Sequence, residues 1–378
     1  MRIAQVAPLY ERVPPLYYGG TERIVSYLTE ELIKQGHDLT LFASGDSITK
    51  ARLIAPCDRS LRLDSTCEDR IAYHFLQLEQ VFQNAASFDI IHFHIDYLHF
   101  PFSRRSDLPH LTTLHGRLDL PDLVPLYRQF ADIPLVSISN AQRVPLPWVD
   151  WQGTVYHGLP LDQYECKKHP GSYLAFVGRI SPEKRVDRAI KIAKRAKMKL
   201  KIAAKVDAID RRYMETEIQP LLDDSLVEFV GEIGEKEKPA FLRNAYALLF
   251  PIDWVEPFGL VMIEAMACGT PVIAFRRGSV SEVIDNDVTG FIVDDIEESL
   301  EALAKIPHFD RERCRIVFEQ RFSAARMAGD YLKIYQRLIE TKSRPRAPRL
   351  NEAAESLDLT LHANGDAASH AKSFQNGL

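Results

Sequence analysis

Short apolar runs alternate with amphipathic helical segments along nearly the whole chain, and this pattern starts a second time near its middle. Strands that alternate with helices in this way are typical of parallel α/β architecture. The chain has 378 residues, more than one hydrophobic core usually supports, so the restart indicates two domains. The pattern therefore predicts an α/β protein with two parallel sheets.

In the first half, the apolar runs predict strands, and a periodic segment at about 21–35 predicts a helix that stops at Gly36. The second half repeats the pattern, with helices at 183–196 and 210–222. The stretch 279–291 is interpreted as turn, short strand, turn and strand. The other predicted strands are at 2–7, 38–43, 88–94, 110–114, 134–138, 173–177, 200–204, 226–230, 246–250 and 271–275.

A turn-rich stretch at 151–153 and the loop that follows it separate the two patterns. We place the first domain at 1–155 and the second at 156–321. The segment 322–340 carries apolar residues at helical spacing and predicts a further helix. The last stretch, 341–378, is poor in apolar residues, which predicts a disordered tail.

The composition indicates a globular protein in a reducing compartment. Hydrophobic residues make up 46% and charged residues 26% of the chain, which are ordinary values, and the net charge of −5 argues against a nucleic-acid binder. The cysteines show no C-x-x-C spacing, which favours reduced thiols over disulfides or zinc. Residues 1–8 are interpreted as a strand rather than a signal peptide, and no apolar run is long enough to span a bilayer. We expect a cytoplasmic protein.

Two glutamates, Glu256 and Glu264, flank the start of a predicted helix, with Pro-Phe-Gly at 257–259 between them. Their separation is close to two helical turns, so Glu264 is expected to project towards the loop that holds Glu256. The strand at 246–250 delivers both to the carboxyl end of a sheet, where ligands bind in open α/β folds. A helix amino terminus between two carboxylates suits a ligand that carries both phosphate and sugar. The alternative is an ordinary strand-loop-helix with two solvent-facing acids.

Arg179 and Lys184 follow the strand at 173–177. Lys184 is predicted in the first turn of the next helix, where the helix dipole disfavours a cation unless an anion is bound. With Arg179 it would form a two-cation clamp suited to a diphosphate. The alternative is a solvated lysine paired with a nearby acid.

His115 ends the strand at 110–114 and is expected at the sheet edge that faces the second domain, although a structural role is an equal alternative. Upstream, His92, His94 and Asp96 alternate on one face of a strand and suggest a metal site. Because no further cluster of ligands completes that set, we expect no metal.

Gly19 and Gly20 open the first helix and offer bare amides to an anion, although a plain helix start explains them equally well. A dinucleotide fingerprint requires G-x-G-x-x-G in a tight turn, and the chain lacks it here. The preceding loop, at 9–20, is aromatic and polar, which suits binding of an acceptor.

Taken together, these motifs resemble the family 4 retaining glycosyltransferases, which have the GT-B fold of two Rossmann-like α/β domains facing across a cleft. The resemblance covers about 1–340. The chain departs from the family at Arg185, where the family commonly has Gly. The specific elements are E-x7-E at Glu256 and Glu264, A-M-A-C-G-T-P-V at 265–272, G-R-x-x-x-E-K at 178–184, and T-L-H-G at 113–116.

The resemblance implies a role for each candidate residue. Arg179 and Lys184 would bind the donor diphosphate. Glu264 would take the ribose hydroxyls and Glu256 the hydroxyls of the transferred sugar, while His115 would contact that sugar near the reacting carbon. The remaining donor contacts would come from Gly19, Gly20, Ile233, Phe258, Gly259 and Leu260.

The resemblance also implies an activity, the transfer of a hexose from a nucleotide diphosphate sugar to an acceptor hydroxyl, with retention and without a metal or other cofactor. UDP-glucose is the favoured donor. The acceptor is left open among saccharides, lipid-linked molecules and small molecules. The oligomeric state is also open, and so is peripheral contact with a membrane. The helix at 322–340 would cross back onto the first domain.

Two alternatives remain on the same fold, since a fold does not fix a chemistry. One is a nucleotide-sugar epimerase or a phosphorylase. The other is a non-catalytic module that binds nucleotide sugars, against which the intact set of candidate residues argues.

Overall fold

The computed structural model describes residues 1–223 and 225–343. It contains two separate β-sheets in which every pair of neighbouring strands is parallel, with helices packed against each sheet. Strands of the first sheet come from residues 2–154 and those of the second from residues 173–293. The predicted α/β architecture with two parallel sheets is thereby confirmed, while the domain boundaries at 155 and 321 stay predictions.

The first sheet has the strand order β3-β2-β1-β4-β5-β6-β7. Its strands are β1 (Arg2–Val6), β2 (Asp38–Phe42), β3 (Arg52–Ile54), β4 (Ile90–Phe93), β5 (His110–Thr113), β6 (Leu135–Ser137) and β7 (Trp151–Thr154). The helices between them are α1 (Gly20–Lys34), α2 (Arg70–Gln83), α3 (Phe100–Ser103), α4 (Leu123–Gln129) and α5 (Asn140–Arg143).

The second sheet has the order β10-β9-β8-β11-β12-β13. Its strands are β8 (Tyr173–Arg179), β9 (Leu200–Lys205), β10 (Val227–Gly231), β11 (Ala245–Phe250), β12 (Val272–Phe275) and β13 (Gly290–Val293). The helices are α6 (Val186–Ala196), α7 (Arg211–Tyr213), α8 (Gln219–Leu222), α9 (Lys238–Arg243), α10 (Leu260–Ala267), α11 (Val280–Val283), α12 (Ile296–Lys305), α13 (Arg311–Arg321) and α14 (Ala324–Ser343).

Each strand order contains one point where the direction of winding reverses. In the first sheet this point lies between β1 and β4, and in the second it lies between β8 and β11. The loops that leave two such neighbouring strands diverge to opposite sides of the sheet and open a crevice at their carboxyl ends. The topology therefore marks one crevice on each sheet as a place for a ligand.

Three local predictions are wrong. The stretch at 151–153, interpreted as a turn, forms the edge strand β7, which pairs with β6. The short strand expected within 279–291 is instead the helix α11, whose Val280 and Val283 pack into the core. The single helix expected at 210–222 is divided by a π-helical turn just before Pro220, which lacks an N–H and cannot continue the regular bonding pattern.

Helix α14 packs against the first sheet although it follows the second domain in sequence. The hydroxyl of Tyr331 lies 2.9 Å from Oγ1 of Thr113, and that of Tyr335 lies 2.7 Å from Nδ1 of His92. The helix also runs past the predicted end at 340, because the Lys342 ammonium donates to two backbone carbonyls of the first domain and holds the last turn. The rest of the predicted tail, 344–378, lies outside the described residues.

None of the helices in the described ranges has the length and apolar character needed to cross a bilayer.

The chain passes between the two domains twice, once near residue 158 and once near residue 323, and the two segments meet at Gly158. The backbone of Leu159 bonds to Phe322 and Ala324, at 2.9 Å in each case. A Cβ atom on Gly158 would lie 2.3 Å from the carbonyl oxygen of Ser323. Only glycine allows these two segments to approach so closely.

We expect Gly158→Ala to lower the melting temperature by several degrees, since overpacking of this kind costs about 1–3 kcal/mol. Differential scanning calorimetry measures the change. The matched control is Gly329→Ala in α14, where a Cβ atom meets nothing within 4 Å. Alanine is the better helix former, so the control should be neutral or stabilising by up to about 1 kcal/mol. Equal melting temperatures for the two variants would contradict the close approach.

Candidate functional site

A cavity of about 750 Å³ lies between the two sheets. We call it the interdomain cleft. It is lined by residues that follow the carboxyl ends of β1, β4 and β5 on one side and of β8, β9 and β11 on the other. Both crevices marked by the topology therefore open into the same space, and its volume is typical of a ligand site.

The predicted glutamate pair lies on the second-domain wall of this cleft. Glu256 is in the loop after β11 and is 8% exposed, and Glu264 is in the second turn of α10 and is 2% exposed. Between them, Gly259 precedes the helix with φ of 79°. A side chain there would be strained and would collide with Met262. Both carboxylates line the cleft, so the alternative of two solvent-facing acids is wrong.

Two helices that begin at the cleft, α1 and α10, start without a capping side chain. The starts of α2, α12 and α13 are each capped by an aspartate that accepts a hydrogen bond from a backbone N–H. Within the described residues, α1 and α10 have no such side-chain cap and follow Gly19 and Gly259. The first N–H groups of a helix have no partner inside it. These two termini therefore present donors and positive dipole ends to the cleft.

Lys184 lies among an acid and two aromatic rings. Its ammonium group donates to Oε2 of Glu256 and lies 4.8 Å from the ring centroid of Trp254 and 5.8 Å from that of Phe250. Nε1 of Trp254 donates to the same carboxylate at 3.1 Å. Lys184 thus pairs with an acid, as the alternative interpretation expected, and it also lines the cleft. The diphosphate clamp stays a prediction.

The placement of Lys184 in a helix is wrong in detail. It ends a 3-10 turn, Pro182–Lys184, and α6 begins only at Val186. The helix is interrupted because Arg185 takes a left-handed conformation with φ of 53°, a conformation that glycine adopts without strain. This conformation explains why the family that the sequence resembles commonly has glycine at this position. In this protein, ion pairs with Asp187 and Asp253 hold Arg185 in the same conformation.

Arg179 ends β8 and is surrounded by carboxylates. Its guanidinium donates to Glu183 at 2.5 Å and lies 3.3 Å from Asp210 and 3.6 Å from Asp207. These acids fix the guanidinium in the wall of the cleft, on the same side as Lys184. The structure thus places both predicted cations at the second-domain crevice.

Glu264 has a partner that the sequence analysis missed. The Lys238 ammonium donates to Oε1 of Glu264 at 2.8 Å, and the Tyr164 hydroxyl lies 3.5 Å from the same atom. Lys238 opens α9 and also lines the cleft. Nothing in the local sequence around Lys238 signals a contact with a residue so far along the chain.

On the opposite wall, His115 belongs to a chain of buried hydrogen bonds. Its Nε2 lies 2.9 Å from Nδ1 of His94, and Nε2 of His94 lies 2.7 Å from Oε1 of Gln5. The Gln5 amide in turn donates to the hydroxyl of Tyr335 in α14 at 3.3 Å. The His115 ring also stacks on that of His157, with centroids 5.4 Å apart.

These partners assign the proton on each ring. The Gln5 oxygen can only accept, so Nε2 of His94 carries a proton. Burial holds the pKa of His94 well below its usual range, so this ring is neutral and its Nδ1 accepts from His115. Burial also lowers the pKa of His115 to about 3. Its remaining nitrogen, Nδ1, is therefore an unprotonated acceptor, and it has no partner among the described residues.

The remaining predicted residues also reach the cleft. Phe258 and Leu260 flank the start of α10, and Ile233 lies in the loop after β10. Gly20 comes from the first domain, and a Cβ atom on it would touch Leu260 at 3.5 Å. The starts of α1 and α10 therefore approach each other directly across the cleft.

Polar contacts hold the two walls together beside this approach. Arg23 of α1 forms an ion pair with Glu235 at 2.5 Å, and the Tyr27 hydroxyl donates to the same carboxylate. The backbone N–H of Tyr18 donates to Glu232 at 3.1 Å. The loop that carries Ile233 is thereby fixed to the first domain.

The suggested metal set does not assemble. The two ring nitrogens of His92 bond to Tyr335 and Thr113, and those of His94 bond to His115 and Gln5. Asp96 lies beyond the end of β4 in a left-handed conformation with φ of 49°. The alternation expected for these three residues therefore stops at His94. In residues 1–223 and 225–343, no group of three or more His, Cys, Asp or Glu side chains converges as a metal ion requires.

Two parts of the chain match known families. Residues 18–145 match the family described as Glycosyltransferase Family 4, and residues 164–316 match the family described as Glycosyl transferases group 1. Together the matches cover more than half of the chain, and they do not overlap.

A curated relative, the D-inositol 3-phosphate glycosyltransferase of Mycolicibacterium smegmatis, is 30% identical over 247 residues, or 57% of this chain and 52% of that protein. The chain spans about half the length of the curated relatives it matches. Among solved structures, sucrose-phosphate synthase from Thermosynechococcus elongatus superimposes with a TM-score of 0.74 at 19% identity, over 90% of this chain and 100% of that one. The HepE protein of Anabaena, in complex with UDP and glucose, gives 0.69 at 17% identity, over 89% and 100%. The likeness confirms the predicted GT-B fold.

Glu22, in the first turn of α1, lines the cleft with only 6% of its surface exposed. Burial raises the pKa of Glu22 from its ordinary 4.5 to about 7. Between these values the unfolded chain has lost a proton that the folded protein keeps. Stability contributed by this group therefore falls as the pH rises from 4.5 to 7.

We expect Glu22→Gln to raise the free energy of unfolding at pH 8 by about 1–3 kcal/mol relative to the unsubstituted protein, and to change it little at pH 4. Thermal melts of both proteins across this pH range measure the difference. A stability gain that is the same at pH 4 and pH 8 would show that Glu22 ionises normally in the folded protein.

Proposed function

Because the chain belongs to the family 4 glycosyltransferases, we propose that it transfers a hexose from a nucleotide diphosphate sugar to an acceptor hydroxyl, with retention of anomeric configuration and without a metal ion. We favour UDP-glucose as the donor, and we propose the cytoplasm as the compartment in which the protein acts. The observation that supports this most is the convergence of Arg179, Lys184 and the uncapped start of α10 at the crevice of the second sheet. Support for the donor comes from the HepE protein, which was solved with UDP and glucose.

In this proposal the second domain stabilises the leaving diphosphate. Negative charge develops on the phosphate as its bond to the sugar breaks, and Arg179, Lys184 and the N–H groups at the start of α10 supply fixed positive charge. The carboxylates around Arg179 and Lys184 hold both cations in place before the donor arrives. Preorganised groups of this kind need no rearrangement during the reaction.

The two glutamates bind hydroxyl groups. Glu264 takes the ribose hydroxyls, with Lys238 fixing its carboxylate, and Glu256 takes hydroxyls of the transferred sugar. Because Glu256 also holds Lys184, recognition of the sugar and of the diphosphate share one ion pair. Phe258, Gly259 and Leu260 contribute backbone contacts to the phosphate, and Ile233 contacts the base.

His115 contacts the transferred sugar from the other wall. Its unprotonated Nδ1 accepts a hydrogen bond, so it suits a sugar hydroxyl and offers no proton to the leaving group. The anomeric configuration is then retained because the acceptor attacks the anomeric carbon on the same face from which the phosphate departs. The bond between the anomeric carbon and the phosphate oxygen breaks, the acceptor oxygen bonds to that carbon, and the acceptor proton passes to the departing phosphate.

A panel of nucleotides and nucleotide sugars tests the proposal directly. A donor that binds raises the melting temperature by mass action, and incubation of that donor with and without acceptors then shows its fate. Slow release of UDP and glucose without acceptor supports a transferase, and appearance of the epimeric nucleotide sugar supports an epimerase. Phosphate-dependent release of glucose 1-phosphate from a glycoside supports a phosphorylase. Binding without turnover supports a binding module, and activity that is lost in EDTA contradicts the absence of a metal.

We expect Lys184→Ala to lower the turnover of donor by about 10²–10³-fold, the usual effect of removing one preorganised group that stabilises transition-state charge. Release of UDP measures the rate. The matched control is Lys191→Ala in α6, whose side chain is 55% exposed and forms an ion pair with Asp187 away from the cleft lining; it should keep full activity. Unchanged turnover in Lys184→Ala would remove this residue from the diphosphate clamp.

A further inference from the structure

The first-domain side of the interdomain cleft forms a second subsite, which we call the acceptor wall. It consists of the loop after β1, the start of α2 and the segment after β4. β1 and β4 are the strands between which the first sheet reverses its winding. This wall therefore occupies the crevice where a second ligand binds in such a sheet, opposite the donor site.

The two first-domain arginines that line the cleft are each paired with an acid. Arg62 forms an ion pair with Glu11 at 3.0 Å. Arg23, 2% exposed, pairs with Glu235 and also donates to the carbonyl of Tyr17. Each guanidinium thus faces a carboxylate of the protein itself, as Arg179 and Lys184 do on the other wall. On the acceptor wall, however, the start of α2 has its first N–H groups bonded to Asp69, in contrast to the uncapped start of α10 on the other wall.

The histidines that line the cleft add no positive charge. Burial lowers the pKa of each below the ordinary 6.5, so all are neutral near pH 7. They are His74, His94, His115 and His157. A phosphate monoester carries close to two negative charges at this pH, and among the described first-domain residues that line the cleft no cation lacks an acidic partner.

Asp96 gives the acceptor wall a negatively charged group. It follows β4, is exposed to the cleft, and has no ion pair or hydrogen bond to its carboxylate among the described residues. The walls of the cleft raise the pKa of Asp96 to about 6 by desolvation, so its carboxylate is ionised at pH 7.5. A carboxylate in this state accepts a strong hydrogen bond from a hydroxyl group.

Four exposed tyrosine rings line the same cleft as this carboxylate. Tyr10, Tyr17, Tyr18 and Tyr97 all line the cleft and are between 38% and 56% exposed. Such rings offer flat apolar faces with negative character and a hydroxyl at the edge. They suit the C–H face of a sugar ring, whose hydroxyls reach the neighbouring polar groups.

We propose that the acceptor is a sugar ring that carries no phosphate, packed on these tyrosines with its reacting hydroxyl held by the carboxylate of Asp96. This assignment rests on the proposed glycosyltransferase function and adds the class of its acceptor. Asp96 binds and aligns the hydroxyl, while the proton still leaves with the donor phosphate. The ring belongs either to a free saccharide or to a lipid-linked one.

Acceptor-dependent release of UDP from UDP-glucose tests the acceptor class. The probes are methyl and octyl glycosides of glucose, galactose, mannose and N-acetylglucosamine, each sugar paired with its 6-phosphate. We expect at least one unphosphorylated ring to accelerate release and its phosphate to be inferior. Equal action of methyl and octyl glycosides indicates a free saccharide, and a clear preference for octyl indicates a lipid-linked one. If a sugar phosphate accelerates the release of UDP more than its parent sugar does, the proposal is overturned. The same holds if no unphosphorylated ring accelerates the release.

Asp96→Asn tests the residue, since asparagine keeps the shape and tolerates the left-handed backbone. We expect the kcat/KM for the acceptor to fall by about 10–100-fold, the usual effect of losing a hydrogen bond to a charged group. Donor affinity and acceptor-independent hydrolysis of UDP-glucose should stay unchanged. The matched control is Asp287→Asn, another exposed aspartate with positive φ, which should alter none of these values.

The readouts also separate this proposal from the proposed function. If no nucleotide sugar binds or turns over in the unsubstituted protein, the transferase function itself fails. If donor hydrolysis proceeds but Asp96→Asn leaves the acceptor kinetics intact, or lowers hydrolysis equally, the assignment of Asp96 fails alone.

Discussion

The parallel direction of the strands is the constraint on which the cleft depends. In a parallel sheet all strands end at the same edge, so loops that carry polar groups collect there while the strand interiors stay apolar. This protein places two such edges opposite each other. The starts of α1 and α10 then meet across the gap, and each contributes bare N–H groups because a glycine, rather than a capping side chain, precedes it.

Charge on the two walls is distributed unequally. The donor side holds Arg179, Lys184 and Lys238, each fixed by acids of the same domain. On the other side, the arginines that line the cleft are paired with acids too, but the start of α2 is capped by Asp69, unlike that of α10, and the histidines are uncharged. A ligand with a diphosphate therefore has a preferred orientation in the cleft before any contact with its sugar or base is considered. In the proposed function, this difference places the diphosphate against the second domain and the acceptor against the first.

The sequence was a good guide to features that short segments encode. Alternating apolar runs located most strands, and Gly259 with the glutamates on either side located the start of α10. These signals are local, since periodicity and glycine conformation depend on neighbouring residues. The left-handed Arg185 and the edge strand β7 escaped this reasoning because ion pairs and pairing with β6 override the local preference.

Contacts between distant segments were not predictable from spacing. Lys184 could be seen as a cation near a helix start, but its pairing with Glu256 depends on the packing of two loops that are 72 residues apart. The same holds for Lys238 and Glu264. Asp96 was considered only as a metal ligand, because a strand pattern does not show where the strand ends and the backbone turns.

The return of α14 to the first domain has a consequence for synthesis. Thr113 bonds to a tyrosine 218 residues further along the chain, and His92 to one 243 residues further. As the chain emerges from the ribosome, the first sheet is complete long before these hydroxyls exist, and its buried polar groups lack their partners. The first domain therefore acquires its final core only when the second has been made, so the folding of the two domains is coupled although each has its own sheet.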